Sequence, residues 1–257
     1  MSAKISAFIL AYNSESQIGA ALESLQWADE IVVVDSHSTD RTAAIAAEHG
    51  ARVVQEDFNG FGRLRNAGIT HTRHDWIFSL DTDERCTPEA RDEILAIAND
   101  PGSADAYHTP RRNYFMGQFI RYGGWYPNFR QPQLFRRGKL TFPENDLVHE
   151  GFCLDGRLSE MQCPIEQEPF ETLSDVLYKA NRYSSLSAEK LARDKTRTGP
   201  LGALGHGIGM FLKMYFLRLG FLDGWPGFII AWSNLEGTFY KYAKLAELNR
   251  KGRQRGE

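Results

Sequence analysis

The sequence has few cysteines and no strong excess of charge of either sign. Cys86, Cys153 and Cys163 are odd in number and lack the C-x-x-C spacing. This pattern excludes a disulfide framework and a cysteine-ligated zinc site, and reduced thiols in a cytoplasmic protein are expected. The formal net charge of -3 does not indicate nucleic acid as a general partner, and none is expected.

Long hydrophobic runs are also missing. A membrane-spanning helix needs about 20 mostly apolar residues. The most apolar stretch, residues 199–222, is interrupted by Lys213 and Arg218, and residues 224–227 (Gly-Trp-Pro-Gly) are predicted to break it. Residues 1–10 contain one lysine and a short apolar run without a cleavable signal pattern, and they are predicted to form a first strand. Neither stretch predicts a transmembrane helix.

The remaining composition is that of an ordinary globular protein. The chain has 257 residues, of which 42% are hydrophobic and 25% are charged, enough for a large core. In the first half, β-branched or aromatic runs alternate with helical patterns. The predicted strands are residues 4–11, 31–35, 52–54 and 76–80, and the predicted helices are residues 16–25, 42–49 and 64–72. This alternation predicts a mostly parallel sheet with helices on both faces.

Polar residues follow three of the predicted strands. Right-handed crossovers would bring Asn13, Asp35 and Asp81 to the carboxyl edge of the sheet, where ligands bind in open α/β folds. Residues 81–83 form an Asp-Thr-Asp (D-x-D) sequence, and carboxylate oxygens are the ligands that Mg²⁺ uses to bridge to phosphates. The alternative is a solvated acidic turn that caps the helix opening near Thr87.

A second polar cluster lies at residues 144–151. It contains the acids Glu144, Asp146 and Glu150, and His149. A carboxylate or imidazole within hydrogen-bond reach of a proton can serve as a general base, and imidazole is a common metal ligand. A purely structural role for the His-Glu pair is the alternative.

Aromatic and basic side chains are interleaved over residues 111–130. They are Arg111, Arg112, Tyr114, Phe115, Phe119, Arg121, Tyr122, Trp125, Tyr126, Phe129 and Arg130. Aromatic rings stack on sugars and arginine binds phosphate in a bidentate manner, so the segment fits a phosphorylated saccharide. A hydrophobic minicore beneath a long loop is the alternative.

The last third of the chain is predicted to be helical, beginning with an amphipathic helix at residues 173–193. The aromatic residues and flanking lysine and arginine of residues 199–232 indicate a hairpin lying in a membrane interface. The alternative is a pair of core helices covering the sheet. The basic end of the chain also suits an anionic surface, with a plain solvated end as the alternative.

Three motifs together resemble family 2 glycosyltransferases of the GT-A fold. They are residues 8–15 (FILAYNSE), 34–42 (VDSHSTDRT) and 81–84 (DTDE), in matching order and spacing. Further stretches resemble the lipopolysaccharide-core enzymes that add β-linked glucose to the first inner-core heptose, and this similarity covers most of the chain. These stretches are residues 58–62, 65–67, 75–76, 148–150 and 241–242.

The resemblance implies a fold and a domain plan. The fold would be an α/β, GT-A type, Rossmann-like and mostly parallel sheet with a C-terminal helical appendage. Residues 1–168 would form the glycosyltransferase domain, with a nucleotide-sugar half at 1–105 and an acceptor half at 106–168. Residues 169–257 would form a helical, membrane-associated region.

The resemblance also implies an activity. The expected reaction is an inverting, metal-dependent transfer of a hexose, glucose from UDP-glucose, onto a lipopolysaccharide-core or other lipid-linked saccharide. The protein would be peripheral on the cytoplasmic face of the inner membrane. Transfer to a polyprenyl phosphate or a protein, and a non-catalytic module that only binds a nucleotide sugar, are the alternatives.

Site residues follow from the same resemblance. The nucleotide sugar would contact Ala11, Tyr12, Asn13, Glu15, Asp35, Ser36, Ser38, Asp57, Arg63, Asn66, Asp81 and Thr82. Mg²⁺ or Mn²⁺ would be held by Asp83, with Asp81 and His149. The commonest family pattern has the catalytic base as the Asp of a Glu-Asp pair, which this chain lacks. Glu150 is the favoured base and Asp146 the second candidate.

Overall fold

The structure is a computed structural model that describes residues 2–144, 151–194 and 196–255, with side chains to residue 251. It divides into two compact units. The first, the sheet unit, is Met1–Arg112 with Asn128–Gln167, and the second, the helical unit, is Asn113–Pro127 with Glu168–Glu257. Each is described separately.

The described part of the chain contains thirteen strands. In order they are β1 (Ile5–Ala11), β2 (Glu30–Asp35), β3 (Arg52–Gln55), β4 (Trp76–Asp81), β5 (Glu84–Arg85), β6 (Ala106–His108), β7 (Arg111–Phe115), β8 (Gln118–Phe119), β9 (Leu134–Arg136), β10 (Leu140–Thr141), β11 (Cys153–Leu154), β12 (Leu158–Glu160) and β13 (Ile165–Gln167). The helices are α1 (Ile18–Glu23), α2 (Thr42–Glu48), α3 (Phe61–His71), α4 (Pro88–Asn99), α5 (Leu173–Arg193), α6 (Pro200–Leu212) and α7 (Gly224–Arg255).

A seven-stranded sheet forms the centre of the sheet unit, in the order β12-β6-β9-β4-β1-β2-β3. β1 pairs in parallel with both β2 and β4, and β2 pairs in parallel with β3. β9 is antiparallel to its neighbours β4 and β6. The predicted mostly parallel sheet is therefore confirmed.

Successive residues of each central strand face opposite sides of the sheet, as the two-residue period of a strand requires. In β1, Phe8 joins one hydrophobic cluster together with Leu64 of α3. Its neighbour Ile9 joins a second cluster with Leu22 of α1 and Ile94 of α4. Helices therefore cover both faces, as predicted.

Two predicted helix boundaries are wrong. α3 begins at Phe61, three residues before the predicted start. The residue before it, Gly60, has a φ of 106°, which suits glycine and lies outside the helical range. The predicted break at residues 224–227 is the start of α7 instead. A proline in the first helical turn has no hydrogen bond to lose, so Pro226 is compatible with a helix start.

The helical unit is built on α5, α6 and α7. α5 spans residues 173–193 as predicted and starts with a capping box between Thr172 and Asp175. A π-helical turn (Lys213–Leu217) and a 3-10 turn (Gly220–Asp223) join α6 to α7. The hydrophobic cluster of this unit contains Phe115, Ile120, Val176, Met214, Ile230 and Ala231.

Candidate active site

The ends of β1, β2 and β4 meet at one edge of the sheet. In the strand register, Ala11 lies opposite Asp35 and Leu10 lies opposite Asp81. Paired strands are about 4.8 Å apart, so Asp35 and Asp81 flank the end of β1 on its two sides. This places acids that are 46 positions apart in sequence at one sheet edge.

Asp35 is fully buried at this edge and is held by hydrogen bonds. One carboxylate oxygen accepts from the Ser38 backbone N–H at 3.0 Å and from Nε2 of Gln55 at 2.9 Å, and the other accepts from Oγ of Ser38. A buried carboxylate requires such donors because it has lost its water. Next to it, Ser36 is 7% exposed, and its Oγ has no hydrogen-bond partner among the described residues.

The loop after β1 is tied to the loop after β2. The Thr39 backbone N–H donates to Oδ1 of Asn13 at 2.9 Å, and the Arg41 backbone N–H donates to Glu15 at 2.9 Å. Asn13 has a positive φ of 46°, which asparagine tolerates better than most residues. Asn13 and Glu15 thus shape the loop, while Tyr12, just before Asn13, is 62% exposed.

Asp40 closes the second loop. Partial burial alone would raise the pKa of its carboxyl group, but hydrogen bonds from the Thr42 side chain and backbone, and from the Glu15 backbone, lower that pKa below its ordinary value. The carboxylate is therefore ionised at neutral pH and stabilises the start of α2.

Three other residues predicted to contact the nucleotide lie outside these two hydrogen-bonded loops. Asp57 contacts Nε2 of His37 at 3.0 Å and is well exposed. Arg63 forms an exposed ion pair with Glu144 at 3.1 Å. Both polar atoms of the Asn66 amide bond the backbone of Phe142. Nδ2 donates to the Phe142 carbonyl at 2.9 Å, and Oδ1 accepts from the Phe142 N–H at 3.0 Å.

The D-x-D turn, residues 81–83, is partly exposed at the end of β4. Asp81 lies 3.4 Å from Nη2 of Arg65, and Asp83 accepts from Nε2 of Gln167 at 3.1 Å. The next helix, α4, is capped by Thr87, whose Oγ1 accepts from the backbone N–H of Ala90. The cap of that helix is therefore Thr87 and not one of the aspartates, so the capping role expected in the alternative interpretation is wrong.

Sequence reasoning missed the buried support of this turn. Glu84 is fully buried, and one of its oxygens accepts from the Asp81 backbone N–H at 3.0 Å and from Gln133 at 2.8 Å. Its other oxygen accepts from Nε of Arg111 at 2.6 Å. Arg111 is thus paired inside the protein and is not a surface phosphate ligand. Because Arg111 and Glu84 are 27 positions apart, no local sequence pattern predicted this pair.

Two rings of the aromatic segment fit the minicore interpretation, and its role in saccharide binding stays a prediction. Phe115 and Trp125 pack on Phe170 at ring distances of 6.1 and 6.4 Å in the hydrophobic cluster of the helical unit. These two rings are core residues, as the minicore interpretation expected. Phe129 is 36% exposed and lies 6.3 Å from the ring of His108 in the sheet unit.

The carboxylates of Asp81 and Asp83 fit a hard divalent cation, which takes oxygen ligands. Within the described ranges, no group of three or more His, Cys, Asp or Glu side chains is arranged to hold a metal. Asp146, His149 and Glu150 lie outside the described residues. Their predicted roles as base and metal ligand stay predictions.

Comparisons with known proteins agree with this architecture. The model of the family "Glycosyl transferase family 2" matches residues 6–154. A lipopolysaccharide core biosynthesis glycosyltransferase, LpsC of Rhizobium meliloti (strain 1021), is 29% identical over 254 residues, covering 94% of this chain and 91% of LpsC. An uncharacterized glycosyltransferase of Rickettsia bellii (strain RML369-C) is 26% identical over 265 residues, covering 96% of this chain and 87% of the relative.

Among solved structures, glucosyl-3-phosphoglycerate synthase from Mycobacterium tuberculosis is 25% identical, with a TM-score of 0.38, over 43% of this chain and 44% of that one. The match to the family model covers more than half of the chain and includes all three motifs and the ends of β1, β2 and β4. The chain therefore belongs to glycosyltransferase family 2 and is a glycosyltransferase.

Proposed function

We propose that this enzyme transfers a hexose, with inversion, from a nucleotide diphosphate sugar to a lipid-linked saccharide. UDP-glucose is the proposed donor, and the lipopolysaccharide core is the proposed acceptor. Family membership and the lipopolysaccharide-core relative, which aligns over 94% of the chain, support this assignment.

One observation carries the proposal: Asp35 and Asp81 flank the end of β1 at the same sheet edge. The base and ribose of the donor would lie over the β1–β2 loops. There Tyr12 is exposed, and the buried Ser36 hydroxyl has no partner among the described residues. Asn13 and Glu15 would act mainly by holding these loops in shape.

The diphosphate would lie at the D-x-D turn. Asp83 and Asp81 would hold Mg²⁺ or Mn²⁺, which when bound neutralises the charge that develops on the departing diphosphate. Arg65 and Gln167 hold these two carboxylates in place. Glu84 fixes the backbone of the turn through the Asp81 N–H.

The acceptor hydroxyl must lose a proton as it attacks the anomeric carbon. A base must reach that hydroxyl on the face opposite the leaving diphosphate. We propose Glu150 as this base, because its sequence neighbour His149 could serve the metal or diphosphate, with Asp146 as the second candidate. His149, beside Glu150, is proposed as an additional metal or diphosphate ligand.

The helical unit supports a peripheral association with the cytoplasmic face of the inner membrane. One side of α6 exposes Leu201, Leu204, Ile208 and Leu212, spaced three or four residues apart. The segment joining it to α7 and the first turn of α7 expose further large apolar side chains, namely Phe216, Leu217, Leu219, Phe221, Leu222 and Trp225. Such a stripe, with Lys213 and Arg218 beside it, is typical of a helix lying in the headgroup region. Among the described residues, no helix is long and apolar enough to cross a bilayer.

A donor screen tests the proposal directly. The full chain is heated with UDP-glucose, UDP-galactose, UDP-N-acetylglucosamine or GDP-mannose, with and without Mn²⁺. A ligand at a hundredfold excess over its Kd stabilises the native state by about 2.7 kcal/mol. UDP-glucose with Mn²⁺ should give the largest rise in melting temperature, and slow donor hydrolysis without acceptor should separate an enzyme from a binding module. No response to any nucleotide sugar would refute the proposal.

A further inference from the structure

A groove of about 360 Å³ lies within the helical unit, between α5 and α7. Its walls include two amines and several hydroxyl groups. The side chains used below are Lys179, Tyr183, Ser187, Ser233, Thr238 and Lys241. The size falls in the range of small-molecule sites, about 300–1,000 Å³.

The two lysines of the groove are half-buried. Nζ of Lys179 donates to the carbonyl of Pro169 at 2.6 Å and lies 4.8 Å from the ring of Phe170. Nζ of Lys241 lies 4.6 Å from the ring of Tyr242. Within the part of the chain that the structure describes, neither amine has a carboxylate within 4 Å. Asp175, one turn before Lys179, accepts hydrogen bonds from the Thr172 cap, which lower the pKa of its carboxyl group, and the charge of Lys179 adds to that effect.

Half-buried ammonium groups that no carboxylate contacts directly favour an anion, since a paired charge offsets part of the cost of burial. No acidic side chain lines this groove among the described residues. The groove is therefore suited to a phosphate group more than to a cation or a neutral ligand.

The other lining groups suit a sugar ring. Ser187, Ser233 and Thr238 offer hydroxyls that can donate to and accept from sugar hydroxyls. Tyr183 is 58% exposed at the groove and can cover the apolar face of a pyranose. Sugars are bound by such combinations of a flat apolar wall and a few polar groups.

The groove walls are fixed before any ligand arrives. Nζ of Lys244 on α7 donates to the Asn181 carbonyl at 3.0 Å, to Ser184 Oγ at 2.9 Å and to Ser185 Oγ at 2.8 Å, all on α5. A Cβ added to Gly237 of α7 would lie 3.9 Å from Cβ of Ala180 on α5, so the two helices approach closely there. Preorganisation of this kind lowers the entropy cost of binding.

We propose that the groove between α5 and α7 binds a saccharide carrying a phosphate group, with the phosphate at Lys179 and Lys241. Identifying this saccharide with the acceptor rests on the proposed function, but the binding itself does not. The ligand is thus a sugar phosphate, a substrate class distinct from the nucleotide sugar donor.

The test is calorimetric titration of the full chain with glucose 6-phosphate, glucose and inorganic phosphate, in saturating UDP and Mn²⁺ to fill the donor site. Glucose 6-phosphate should bind at least about fivefold more tightly than either of the other probes. Lys241→Gln and Lys179→Gln should each weaken it by about tenfold, because each removes a charge-assisted contact to phosphate. Lys251→Gln, which removes an exposed amine of α7 outside the groove, should leave this affinity unchanged.

Equal affinity for glucose 6-phosphate and inorganic phosphate, or an unchanged affinity in both groove variants, would overturn the proposal. Melting temperatures of the variants establish that they are folded, and Ser187→Ala provides a milder change if Lys179→Gln does not fold. If the chain binds glucose 6-phosphate through these lysines but binds no nucleotide sugar, the proposed function is rejected and the proposed saccharide-phosphate groove is supported. If the chain turns over a donor but its binding of glucose 6-phosphate does not depend on the lysines, the groove proposal is rejected and the proposed function is supported.

Discussion

Arg111 donates from Nε to Oε1 of Glu84 over 2.6 Å, and both side chains are completely buried. The second oxygen of Glu84 holds the backbone N–H of Asp81. The pair therefore connects the interior of the sheet unit to the D-x-D turn. It makes the position of that turn depend on a buried charge pair, which tolerates little change.

Replacing Glu84 with Gln should destabilise the protein by about 3–5 kcal/mol, because it leaves the Arg111 guanidinium buried without a compensating charge. Urea unfolding measures the loss. The double variant E84Q/R111Q should recover part of it. A loss within about 0.5 kcal/mol, the usual range for surface substitutions, would show that the pair is not important for stability.

Asp83→Ala should abolish the Mn²⁺-dependent part of UDP-glucose affinity, since it removes a proposed metal ligand at the sheet edge. Calorimetry with and without Mn²⁺ gives that difference. Asp92→Ala, which removes an exposed acid of α4, is the matched control and should bind as the unchanged chain does. Equal metal dependence in both variants would contradict the assignment.

Glu150→Gln should reduce transfer by about 10²–10⁴-fold, the usual contribution of a general base. UDP-glucose affinity should stay near its original value, because the substitution keeps the shape of the side chain. Asp146→Asn is the comparison. If Asp146→Asn loses turnover and Glu150→Gln keeps it, the base is Asp146.

Leu204→Glu combined with Leu212→Glu should reduce flotation with anionic phosphatidylglycerol vesicles by about tenfold or more, because two charges enter the proposed membrane face. Both side chains are about half exposed, at 49% and 47%, so the melting temperature should change little. Leu173→Glu, also 49% exposed but on α5, is the control. Equal flotation of the double variant and the control would show that this face of α6 does not bind the membrane.

Burial raises the pKa of the Cys86 thiol from 9.0 to about 12. The thiolate is the nucleophile, so Cys86 should resist iodoacetamide in the native chain at pH 9, while the exposed Cys153 reacts. Because the folded pKa lies above the unfolded one, this group's stabilising contribution is complete below pH 9 and is lost as pH rises toward about 12. Peptide mass spectrometry of native and urea-unfolded protein checks the difference. Equal labelling of both cysteines in the native protein would contradict it.

Local patterns in the sequence predicted the strands that lead into the site. The run from Trp76 to Leu80 is buried as β4, and the helix predicted at residues 173–193 is α5. Hydrophobic periodicity is a local property, so it can be read without the fold. The misplaced break at residues 224–227 shows the limit of such reasoning, since proline and glycine can open a helix as well as end one.

By itself, the sequence determined the family, the alternating strands and helices, and the acids that end β2 and β4. Only the tertiary structure decided which polar side chains pair with one another or hold a distant backbone segment. Arg111 lies inside against Glu84, Asn66 holds the backbone of Phe142, and Lys179 and Lys241 line one groove between α5 and α7. These relationships join residues 27 to 76 positions apart, and such contacts form only when strand pairing and helix packing bring distant segments together.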